Sequence, residues 1–192
     1  MWLHTIKTAS VCFLGSAALF AHDIRVRLEP TTTVFNRADD VEFRILIENA
    51  SEPCIPILLD SYLDTVAVPL RPGTILVWHI SDAHGKELTP VAVESSHPRG
   101  LLPAELIRLG CGGYYGRRLS LTNGTTRFSL KKGRYRVRAT VQLRTRSFLR
   151  QRPELAQAVS SAWSIPPDDL GAELVDGEFH SPEIEIEIRR DR

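Results

Sequence analysis

Residues 130–141 read Leu-Lys-Lys-Gly-Arg-Tyr-Arg-Val-Arg-Ala-Thr-Val, a turn followed by strict alternation of apolar and basic side chains. Tyr135, Val137, Ala139 and Val141 fall on one side of an extended chain, and Arg134, Arg136 and Arg138 on the other. That period of two is the mark of a strand with one buried face. Gly133 supplies the backbone freedom that a corner needs. The same alternation predicts strands at 23–28, with Ile24, Val26 and Leu28 inward, and at 41–47, with Val41, Phe43, Ile45 and Ile47 inward. Residues 54–59 are continuously apolar and predict a strand buried on both faces, which Pro56 pushes toward an edge.

Further along, residues 74–80 place Leu76, Trp78 and Ile80 on one face and Ile75, Val77 and His79 on the other. A Gly-containing turn over 81–85 and a return over 86–93 make a hairpin. Residues 95–116 hold two prolines and five glycines and predict a structured loop, with a helical turn or two over 103–109. Residues 117–122 predict a strand with Leu119 and Leu121 inward. Between 145 and 181 lies an insertion in which Arg152-Pro153-Glu154 opens a short helix, with Leu155, Val159 and Trp163 spaced by four. Residues 181–188 close the pattern, with Ile184, Ile186 and Ile188 inward and Glu183, Glu185 and Glu187 outward. The chain is expected to be all-β, a single antiparallel β-sandwich over residues 22–192. If its last two strands are neighbours, Arg134, Arg136 and Arg138 face the three glutamates and fix one register.

Composition narrows the function without naming it. The 192 residues are 43% hydrophobic and 24% charged, with a formal net charge of +1. That is ordinary for a globular chain with a substantial core. It argues against a nucleic-acid binder that relies on bulk charge, and the ladder accounts for the basic stripe. Residues 1–21 carry Lys7, an uncharged run from Thr8 to Ala21 and small residues at Ser16, Ala17, Ala18 and Ala21. This is the pattern of a secretory signal peptide, with cleavage expected after Ala21 or after Ala18. Cys12 would leave with it, so a secreted or periplasmic chain would keep Cys54 and Cys111.

The order of features carries a resemblance: two alternating strands, the Asn49-Ala50-Ser51 turn, the Asp82-Ala83-His84-Gly85 hairpin, the corner ending in Tyr135 and a last strand entered through Ser181-Pro182. Together they resemble small exported bacterial proteins with an immunoglobulin-like or fibronectin-III-like domain. The resemblance implies an immunoglobulin-like sandwich in which residues 41–47 are strand B, the strand starting at Arg134 is F and residues 181–188 are G, with the short helix inserted between F and G. It also implies that the Tyr135 hydroxyl returns to backbone a few residues upstream. Val137 stands where a second core cysteine would be, so no disulfide can tie strand B to strand F. Strand parity brings Cys54 and Cys111 to one pole, where they can form a disulfide. A true hairpin at Asn123-Gly124 would separate them and leave two free thiols.

The fold does not choose a function. There is no G-x-S-x-G motif, Cys111 lacks a recognisable partner for a dyad, and Gly110 to Gly116 lacks the Lys-Ser/Thr ending of a phosphate loop. The expectation is therefore a non-enzymatic binding or structural module without a cofactor, working on a protein partner through Tyr114, Tyr115, Phe148 and Trp163. Two alternatives stand beside it. Cleavage after Ala21 would leave an amino group and an imidazole on His22, which resembles the copper-binding histidine brace of periplasmic copper carriers and lytic polysaccharide monooxygenases. A second histidine would have to come from His79, His84, His97 or His180. Residues 95–116 could alternatively serve as the presented loop of a peptidase inhibitor.

Overall fold

The structure, a computed structural model, describes residues 22–60, 63–64, 74–93, 106–122 and 126–190. It is mostly β, and nearly all strand pairs are antiparallel. β1 (Ile24–Pro30), β3 (Glu42–Asn49) and β9 (Tyr114–Ser120) form a three-stranded sheet in the order β1-β3-β9. A second sheet runs β2 (Val34–Phe35), β13 (Ile184–Ile188), β11 (Gly133–Arg144), β6 (Thr74–Asp82) and β5 (Leu63–Asp64). In it β2 lies parallel to β13 and β5 parallel to β6. Two small pairs lie apart from these sheets: β4 (Ile57–Asp60) with β8 (Leu106–Leu109), and β7 (Ala92–Val93) with β10 (Thr126–Arg127).

The period-2 residues form the core. Val41 just before β3, Phe43, Ile45 and Ile47 within it, and Leu76, Ile80, Val137, Ala139 and Val141 from the second sheet are all essentially inaccessible and belong to one cluster. Phe43 and Trp78 meet there with ring centroids 5.7 Å apart and planes tilted by 47°, in the distance range where aromatic pairs add to simple burial.

At the corner before β11, the Tyr135 hydroxyl donates to the Lys131 carbonyl and accepts the Lys131 N–H, both at 3.0 Å, while the residue is otherwise buried. Gly133 adopts φ +155°, a value L side chains rarely take. Because removing the hydroxyl leaves two backbone groups at a half-buried turn without their partner, Tyr135→Phe is expected to cost about 1–2 kcal/mol. A urea midpoint unchanged from the wild type would show that the ring alone matters.

Several expected elements are displaced. The strand expected at 54–59 begins only at Ile57, beyond Pro56, and it pairs with β8 outside the two larger sheets. β11 pairs with β6 along one edge and with β13 and β12 along the other. The helical turn expected over 103–109 is strand β8 in its described part, because pairing with β4 buries Leu106 and Leu109. The return strand expected over 86–93 shrinks to a Ser81–Glu87 bridge, after which β7 joins β10. The strand expected at 117–122 starts earlier, at Tyr114, where it pairs with Glu48.

The insertion holds more than one helix. α1 (Thr145–Arg150), α2 (Pro153–Trp163) and α3 (Pro167–Glu173) follow β11, and β12 (Asp176–His180) then pairs with the upper half of β11. β13 takes over the lower half, so the last strand begins at Ile184 and not at Ser181. At the break Ser181 bridges the two: its N–H donates to the Ala139 carbonyl at 2.9 Å and its Oγ accepts the Ala139 N–H at 3.0 Å. A side-chain oxygen thus replaces the backbone carbonyl that the ladder lacks there.

The expected arginine–glutamate register is present, with Arg134 opposite Glu187 and Arg136 opposite Glu185. The ion pairs run diagonally, Arg134 to Glu185 and Arg136 to Glu183, each at 3.9 Å. Glu183 is thereby taken, and Arg138 sits opposite His79 on β6. Such exposed pairs contribute little stability.

Candidate functional site

Asn49, at the end of β3, organises one end of the molecule. Its side chain is fully buried, and its Nδ2 donates to the carbonyls of Ile55 at 2.9 Å and Leu109 at 3.0 Å. Its Oδ1 accepts the Ser51 N–H at 3.2 Å. The Asn49 N–H donates to the Gly113 carbonyl, and the Gly112 N–H to the Asn49 carbonyl. One residue therefore satisfies the loop that carries Cys54 and the loop that carries Cys111. The two cysteines are placed as a disulfide pair, with Cα atoms 5.5 Å apart. Gly112, at φ +70°, makes the turn that returns the chain into β9.

Tyr114 follows this loop and is 63% exposed, one of two large hydrophobic residues so exposed among the described residues. It shares the outer face of the three-stranded sheet with Gly116 and Arg118 on β9 and with Arg44, Leu46 and Glu48 on β3. Leu46 is buried on this face although it points away from the core. Its side chain leans over Gly116, where an added Cβ would come within 2.5 Å of Leu46 Cδ2. The exposed Tyr114 thus stands beside a covered Leu46, with Arg27, Arg44, Glu48 and Arg118 on the same face. Arg27 donates to Glu48 at 2.7 Å, while Arg44 and Arg118 lie directly opposite one another.

The other three residues expected to bind lie elsewhere. Tyr115 turns inward and packs against the main core. Phe148 and Trp163 pack around a second cluster formed by Leu58, Leu106, Leu149, Val159, Ile165, Leu170 and Leu174, with the Arg152 guanidinium 4.6 Å above the Phe148 ring. The insertion is folded onto the β4/β8 pair, and Arg108 clasps the buried Glu173 carboxylate through two donors, which holds α3 in place and raises the arginine's affinity for its proton. Of the loop proposed to present an inhibitor, residues 94–105 lie outside the described residues.

His22 lines an open pocket of about 340 Å³ with Arg146, Asp176 and Phe179. Its Nδ1 is buried without a hydrogen-bond partner. Burial holds the imidazole below its ordinary pKa, a backbone contact with Ala172 opposes that, and Arg146 adds to the lowering. Among the described residues no group of three or more His, Cys, Asp or Glu is placed to hold a metal ion. His97 lies outside them, and the His84 N–H donates to Asp82 Oδ1 in the hairpin turn.

The remaining two histidines meet on the outer face of the second sheet. His79 Nε2 lies 3.0 Å from Thr140 Oγ1, and His180 Nδ1 lies 2.9 Å from the same oxygen. Glu87 Oε1 is 3.5 Å from His79 Nδ1. Sequence spacing could not show this, because residues 79, 140 and 180 converge only through the register of β6 and β12 on β11.

No protein-family model matches the chain, and a search of curated proteins finds no relative. No helix among the described residues is long and apolar enough to cross a membrane.

Proposed function

We propose that the chain is an exported immunoglobulin-like β-sandwich that acts as a non-enzymatic binding module for a protein partner. The immunoglobulin-like reading is supported by the order β13-β11-β6 opposite β1-β3-β9, by the parallel β2 on β13 and by the Tyr135 hydroxyl bond at the corner. Export is supported by the signal-like residues 1–21 and by the disulfide pair, which suits an oxidising compartment.

The observation that carries the binding reading is Tyr114. An exposed tyrosine on a three-stranded sheet, on the same face as Arg27, Arg44 and Arg118, is the composition that protein interfaces favour. A photo-crosslinking amino acid at position 114, introduced in cells that export the protein, should trap one discrete partner. The same group at Arg134, on the other sheet, should not. Equal labelling from both positions, or none from 114, would remove the reading. The intact mass of the exported chain tests the other half: it should begin at His22 and accept alkylating reagent only after reduction.

A further inference from the structure

We propose that His79 and His180 form a binding site for a borderline divalent transition-metal ion, of the Cu²⁺, Ni²⁺ or Zn²⁺ class, on the outer face of the β6–β11–β12 sheet. This site is independent of the Tyr114 face. Two imidazole nitrogens from different strands aim at one oxygen, at 3.0 and 2.9 Å. Thr140 itself is buried beneath the two rings, while His180 is exposed and His79 partly so. A hydroxyl has one proton, so when both rings are neutral it donates to one of them and accepts from the other. The position of Glu87, beside Nδ1 of His79, selects the tautomer with the proton on Nδ1. The lone pair on Nε2 then points toward Thr140, and the carboxylate takes the outer-shell role that supports metal-bound histidines.

Thr140 then donates to His79 Nε2 and accepts from His180 Nδ1–H; with the His180 proton moved to its other ring nitrogen and a small shift of that exposed ring, both nitrogens present lone pairs to one cation lying above the Thr140 hydroxyl, with water completing its coordination. Imidazole pairs suit this class of ion and not calcium or magnesium, which take oxygen ligands. No third protein ligand of the usual kind is present among the described residues, so the site is two-histidine and open to solvent. The pocket at its edge is lined by Arg136 and Arg138 as well as Glu87 and Glu183, and the arginines oppose a cation that the glutamates attract. Affinity should therefore be modest.

The test uses the full exported chain carrying His22→Ala, so that a terminal chelate cannot contribute, titrated with CuCl₂ and followed by calorimetry and electron paramagnetic resonance. The expected result is saturable one-to-one binding with two nitrogen ligands in the spectrum. His79→Ala and His180→Ala, each checked for an unchanged thermal midpoint, should each weaken binding at least about tenfold, and Glu87→Gln by about tenfold through the outer shell. His84→Ala should bind as the parent does. No saturable binding in the His22→Ala parent, or retention of parental affinity when His79 and His180 are both alanine, would overturn the proposal.

Discussion

Replacing Cys54 and Cys111 together by serine is expected to lower the unfolding free energy by about 4 kcal/mol and the melting temperature by about 10 °C. The reason lies mostly in the unfolded chain. The bridge joins residues 57 apart in sequence, so it removes the entropy of closing a long loop. In the folded chain the same two loops are held by Asn49, and the cysteines need move little to bond. Urea unfolding of the exported protein, before and after reduction, checks this. A midpoint that ignores the reductant would mean that the loops are fixed by Asn49 and packing alone.

Asn49→Ala should cost about 3 kcal/mol. Its amide donates to two carbonyls from segments otherwise distant in the chain, Ile55 and Leu109, and accepts the Ser51 N–H, all at a fully buried position. Alanine supplies none of these bonds, and a carbonyl left buried without a donor carries its full desolvation penalty. Asn49→Asp keeps the acceptor for Ser51 but turns two donors into an acceptor facing two carbonyls, so it should be worse than alanine at neutral pH. Combined with the cysteine variant, the losses should add to within about 0.5 kcal/mol, because the bridge acts mostly on the unfolded chain and Asn49 on the folded one. A clear departure from additivity in a double-mutant cycle would show that the bridge acts mainly by holding the folded loops.

How much of this was legible in the sequence follows from which signals are local. Alternation over 24–28, 41–47 and 134–141 is a property of each strand alone, and each buried the residues its period assigns. The corner was readable for the same reason, since Lys131 and Tyr135 are four residues apart. The strand read at 54–59 is present, displaced past Pro56 to 57–60, whereas the apolar run at 103–109 contains no period to separate strand from helix. The pairing of 106–109 with 57–60 is a tertiary fact, and it overrides the helical reading there. Trp163 showed an apolar spacing that fits a partner surface and a folded-down helix equally well, and Leu58, a hundred residues away, supplies the apolar contact that decides it. The His79–Thr140–His180 convergence was out of reach because it depends on the simultaneous register of three strands.

β4 has a consequence for motion. Ile57 and Leu59 belong to the main core and Leu58, between them, to the cluster beneath the helices. Lifting α1, α2 and α3 away would bare Leu58, Leu149, Val159 and Leu170 together and strand the Glu173 carboxylate that Arg108 holds. The helical segment therefore cannot swing as a flap over the sheets. It rides with them as one rigid wall, and the surfaces on either side keep their shape whether or not anything is bound.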